Sequence, residues 1–109
     1  QVIFGSDSPV SDPNPLWGIH AAVTRTRQDG TPAGGWYPAE RVTVDQAVRA
    51  YTLAPALATG QGDLLGSISP GKLADLVVLD RDIYSLEPRE IASARVDLTV
   101  FDGQVVFER

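Results

Sequence analysis

The chain has 109 residues, 43% of them hydrophobic, enough for one modest core, and it carries no cysteine, which excludes a disulfide framework and a thiolate metal site. Nine basic against fourteen acidic residues leave a net charge of −5 with no basic stripe, which argues against nucleic acid and anionic membrane as partners. No apolar stretch approaches the roughly 18–20 residues that span a bilayer, and the expected location is cytoplasmic.

The first element, "VIFGSDSPV" (2–10), is an apolar run that stops at a glycine, a serine and an acid. A strand is predicted over Val2–Gly5, with Asp7 just beyond its end. Asp followed by Ser-Pro is also common turn chemistry, so a turn or cap acid is the plain alternative for Asp7. The chain opens at Gln1 and runs at once into strand-like sequence, so a piece of a longer polypeptide is expected. Residues 6–15 hold three prolines among Ser, Asp and Asn and read as a loop with fixed turns. Leu16, Ile19, Ala22 and Val23 in "LWGIHAAVTR" (16–25) recur at helical spacing and predict a short helix. Residues 27–41, rich in glycine and proline around Trp36 and Tyr37, read as a long loop, and long loops in compact domains are often functional.

A second helix is predicted from Thr43. Thr43 and Gln46 stand at the spacing of a reciprocal capping box, with Val42 and Ala47 as the apolar staple around it. That helix is expected to end near Thr52–Ala54, with Pro55 opening a further short turn closed by Gly60. From Leu64 the sequence turns β-like. Pro70-Gly71 predicts a hairpin turn that exposes Lys72, and Leu76–Leu79 reads as a strand buried on both faces. Asp102-Gly103 between β-prone runs is a strong hairpin signal, because both central residues of a type I′ turn need positive φ. A boundary near residues 60–63 divides the chain into residues 1–60 and 61–109.

Taken together, "GSDSPV", "AAVTR", "GGWYPAERVTVDQAVRAYT", "LGSISPGKLADLVVLD" and "VDLTVFDGQVVF" resemble, in content and in order, the carboxyl end of metal-dependent amidohydrolases. The likeness runs from about Val2 to Phe107 and is nearest to the amidohydrolase family 3 branch that includes N-substituted formamide deformylases. It implies an α/β plus β fold: residues 1–60 as the last strand and helices of a (β/α)8 barrel, and residues 61–109 as the trailing part of a small β-sandwich domain. Barrel enzymes place catalytic groups at the carboxyl ends of their strands, and Asp7 stands at such an end. The resemblance implies hydrolysis of a C–N bond in a small amide, N-acyl or N-formyl substrate, assisted by a divalent metal, zinc by expectation. It makes Asp7 both metal ligand and proton shuttle. It also places the remaining metal ligands upstream of this chain, so residues 1–109 alone are expected to be inactive. The missing part of the barrel is the expected partner, and a homo-oligomer is a further one.

Other residues carry two readings each. Arg25 stands where relatives also carry an arginine, implying a substrate contact or a loop-fixing one; an exposed arginine at a helix end is the plain alternative. His20 is solitary and reads as a packing or surface histidine. Ser6 and Ser8 lack a base at nucleophile spacing. Trp36 and Tyr37 read equally as pocket rim or loop anchor. Asp75 reads as a local turn or cross-strand contact. A non-catalytic, β-rich interaction module is the alternative for the chain as a whole.

Overall fold

The computed structural model describes residues 1–109. Helix α1 covers Pro15–Thr24, α2 Val44–Tyr51 and α3 Leu53–Ala58. Strands β1 Leu76–Leu79, β2 Val96–Phe101 and β3 Gln104–Glu108 form one antiparallel sheet in that order. Short 3₁₀ segments lie at Pro38–Glu40 and Pro88–Ser93.

Local chemistry sets the helix boundaries. Asn14 caps α1 by accepting from the Leu16 amide at 3.0 Å, and Pro15 occupies the first helical position, where a missing N–H costs nothing. The Thr43 hydroxyl accepts from the Gln46 amide at 3.1 Å while the Gln46 side chain accepts from the Thr43 amide at 2.9 Å, the box that the sequence predicts. The break at Thr52 and restart at Leu53 put Pro55 in the first turn of α3, where its lack of an N–H removes no intrahelical bond.

Two small clusters make the core. Ile19, Ala47 and Ile91 join α1, α2 and the turn Pro88–Ser93. Leu16, Ile83 and Ala94 continue it toward the sheet. Residues from both sides of the expected boundary therefore pack on α1. Gly66 sits at φ +85°, and a Cβ there would lie 2.8 Å from the Leu53 Cα and 3.0 Å from the Thr52 carbonyl oxygen, so glycine is required on two counts.

Three expectations meet a different outcome. Val2–Gly5 forms no strand, because these residues have no neighbouring strand to pair with; the Phe4 amide donates instead to the Ala50 carbonyl at 2.9 Å. The Phe4 ring meets Tyr51 edge-on at 5.4 Å. Lys72 does not extend into solvent from a hairpin. Its ammonium donates to the Gly62 and Leu65 carbonyls, supplying donors that the irregular backbone there lacks, and the Leu73 amide closes the loop on the Leu64 carbonyl at 3.0 Å. The strand Leu76–Leu79 is not buried on both faces: Val77 is 59% and Val78 50% exposed. Val77 lines a cavity of about 490 Å³ between the helices and the sheet. Val78, pointing to the opposite face, meets no covering layer.

The hairpin forms as expected. Asp102 and Gly103, at φ 49° and 75°, join β2 to β3. The Asp75 carboxylate accepts from the Asp102 amide at 2.8 Å, tying the entry of β1 to that turn. At the other end of the sheet, Asp80 accepts from the Arg95 amide at 2.9 Å and stands 3.5–3.8 Å from the guanidinium groups of Arg81, Arg95 and Arg109. The Arg95 backbone hydrogen bond, then these arginines, hold its carboxyl below the usual range.

Candidate active-site segment

Asp7 lies in a turn closed by the Val10 amide donating to the Asp7 carbonyl at 2.8 Å. Its φ of +53° is in the left-handed region, which non-glycine residues seldom occupy and which aspartate tolerates better than most. The side chain is exposed, and its carboxylate accepts no hydrogen bond and forms no ion pair within the chain. The next acid, Asp12, is committed by contrast, accepting from the Asn14 amide at 2.9 Å. Asp7 thus presents an uncommitted carboxylate on a constrained backbone. The preceding Gly5 and Ser6 line a concavity of about 260 Å³ with Asn14, Trp17, Gly18 and Tyr51.

A metal centre needs more than this chain supplies. Hydrolytic zinc sites use three or more protein ligands, and nowhere do three His, Asp or Glu residues gather. The residues present do not fit a complete metal site. Ser6 and Ser8 have no hydrogen-bonded base.

His20 is 2% exposed on the inner side of α1, in agreement with the packing reading. Burial pushes its pKa below 6.5, because the charged imidazolium is disfavoured there. A histidine held neutral in the fold takes up its proton more readily when unfolded, so stability is full above about pH 6.5 and falls as pH drops through the lowered value. The melting temperature is expected to decline between pH 7 and pH 5 and to decline less in His20→Gln; parallel curves for the two proteins would contradict this. Asp80 acts in a separate window, below 3.8, because its pKa is lowered.

Arg25 closes α1 at φ 60°. Its Nε donates to the Trp36 carbonyl at 3.0 Å and its guanidinium lies 5.2 Å from the centre of the Trp36 ring. Both Nη groups lack a protein partner. Arg41, which the sequence reading did not single out, completes the clamp by donating from Nε to the Thr24 carbonyl at 3.1 Å and from Nη2 to the Gly34 carbonyl at 2.7 Å. Its only sequence signal was the Gly34-Gly35 pair, whose positive φ values shape the turn that carries the Gly34 carbonyl. Trp36 and Tyr37 meet edge to face at 4.8 Å and stay 63% and 65% exposed, so the arginines fix the loop and neither ring anchors it to the core.

The sequence matches the amidohydrolase family over residues 1–107. It is 39% identical over all 109 residues to the N-substituted formamide deformylase of Arthrobacter pascens, covering 20% of that protein. It is 39% identical over 104 residues to Protein LONG AFTER FAR-RED 3 of Arabidopsis thaliana, spanning 95% of this chain and 17% of that one. The solved structure of an amidohydrolase from Thermotoga maritima aligns with a TM-score of 0.51 at 35% identity, over 62% of this chain and 16% of that one. The chain thus spans about a fifth of the length of these curated relatives.

Proposed function

Because this chain belongs to the amidohydrolase family, we propose that it is the carboxyl-terminal part of an enzyme hydrolysing a C–N bond in a small N-formyl or N-acyl substrate, with Asp7 as a catalytic carboxylate. The observation that carries the reading is the free carboxylate of Asp7, exposed on a left-handed turn directly after the Gly5-Ser6 segment. An uncommitted carboxylate is suited to taking the proton of an attacking water and handing it to the departing nitrogen. The deformylase named above supports the bond type.

In this reading Val2–Gly5 is the last strand of a barrel, residues 16–25 and 43–60 hold its following helices, and residues 61–109 are part of a β-sandwich. Neighbours from the rest of the polypeptide would pair Val2–Phe4 and cover Val78. A divalent metal would take Asp7 together with ligands outside residues 1–109, and residues 1–109 alone would be inactive. Arg25, through its unpartnered Nη groups, would contact substrate. The full-length protein is expected to release formate and amine in equal amounts from an N-substituted formamide; no turnover of formamides or N-acyl amines would overturn the reading. The exposed edge strand, with Val105, Val106 and Phe107 in solvent, favours the second reading of a β-rich interaction module. That module would bind a partner without any such turnover.

A further inference from the structure

The last backbone hydrogen bond before Asp7 runs from the Phe4 amide to the Ala50 carbonyl, and Gly5 and Ser6 make none. Ala50 lies in the final turn of α2, whose carbonyls have no partner inside the helix. The Phe4 ring continues this attachment by meeting the Tyr51 ring edge-on at 5.4 Å, and both rings rest on the cluster of Ile19, Ala47 and Ile91. Beyond Asp7, the next element is α1, capped by Asn14. The stretch that carries Asp7 is therefore suspended between two anchors, the end of α2 through Phe4 and the start of α1 through Asn14.

The two anchors meet at Gly18. A Cβ there would stand 1.9 Å from the Tyr51 hydroxyl oxygen and 2.8 Å from the ring carbon that bears it, both inside the 3.0 Å that real Cβ contacts keep. The hydroxyl thus occupies the place of the missing side chain. Glycine inside a helix is disfavoured against alanine, and the helical backbone of Gly18 has no left-handed conformation to call for it. The close approach of Tyr51 is what requires glycine at this position. Gly18 and Tyr51 also wall the concavity beside Gly5 and Ser6.

We infer that Tyr51, seated in the gap at Gly18, is a positioning residue for Asp7: its ring holds Phe4, and its contact with α1 sets the spacing of the two anchors between which Asp7 is carried. The inference rests on the reading of Asp7 above and adds the side chain that places it. A methyl group at position 18 has to push the Tyr51 ring back, and the ring takes Phe4 with it. A displacement of about 1 Å at a reacting group costs about a hundredfold in rate.

Gly18→Ala in the full-length protein is expected to lower kcat for formamide hydrolysis by about ten- to a hundredfold with KM little changed, because the carboxylate is misplaced while binding contacts are kept. In a Tyr51→Phe background the same change is expected to cost less, since the closest atom is gone. Equal cost in both backgrounds, or wild-type kcat in Gly18→Ala with only a lowered melting temperature, would overturn the inference. Phe4→Leu stays apolar but loses the edge-on ring and is expected to lower kcat on its own; wild-type kcat there would overturn the inference even if Gly18→Ala does not fold. Amide hydrogen exchange separates the two proposals, since it needs no turnover. The Phe4 and Val10 amides are expected to exchange faster in Gly18→Ala than in the wild type. Faster exchange in a protein whose wild type hydrolyses no formamide would uphold the seat of Tyr51 and remove the hydrolase reading, whereas unchanged exchange would overturn it whatever the turnover.

Discussion

Asp7→Asn in the full-length protein is expected to lower kcat/KM for C–N hydrolysis by about 10²- to 10⁴-fold, the usual contribution of a positioned acid–base group. The substitution is nearly isosteric, and asparagine accepts the left-handed backbone that φ +53° demands as readily as aspartate does. No hydrogen bond or ion pair in the chain uses the Asp7 carboxylate, so its loss leaves the turn intact. The turn is closed by the Asp7 carbonyl accepting from the Val10 amide, not by the carboxylate. The melting temperature should therefore match the wild type while turnover collapses, with the loss in kcat rather than KM. Wild-type kcat/KM in the variant would remove Asp7 from the reaction.

Ile91→Ala is expected to cost about 2–5 kcal/mol, because deleting a buried branched side chain removes its transfer free energy and leaves a cavity. Ile91 is 0% exposed and fills the space between Ile19 on α1 and Ala47 on α2. Only ten of the 109 residues are buried, and beside this cluster α1 has only the small one of Leu16, Ile83 and Ala94 to hold it. The stability of a typical domain is about 5–15 kcal/mol, so this one change consumes a large part of it. The denaturant midpoint should fall with an unchanged slope, and Ile91→Val should lose only about 0.5–1.5 kcal/mol. Equal losses for the two variants would mean that Ile91 is not the joint between these elements.

What the sequence disclosed is what neighbours in the chain decide. The Thr43–Gln46 box, the proline at the start of α3 and the Asp102-Gly103 turn all depend on residues within a few positions, and all stand where expected. Lys72 depends on carbonyls of Gly62 and Leu65 that an irregular loop turns inward, which no local pattern announces. The Arg25 and Arg41 clamp likewise closes over residues 24–36 by side chains reaching far along the chain. The apolar run Leu76–Leu79 was legible as a strand, yet its covering was not, since burial depends on layers outside the strand itself. At the site, the position of Asp7 after a strand-like run was legible, while its left-handed backbone and its free carboxylate were visible only in three dimensions.

Metal content and formamide turnover, measured side by side on the full-length protein and on residues 1–109, test the central claim most directly. The account predicts bound divalent metal and turnover in the full-length protein and neither in residues 1–109, because Asp7 has no second or third ligand there. Stoichiometric metal with turnover in residues 1–109 alone would contradict it, and would show that these residues build a complete centre of their own.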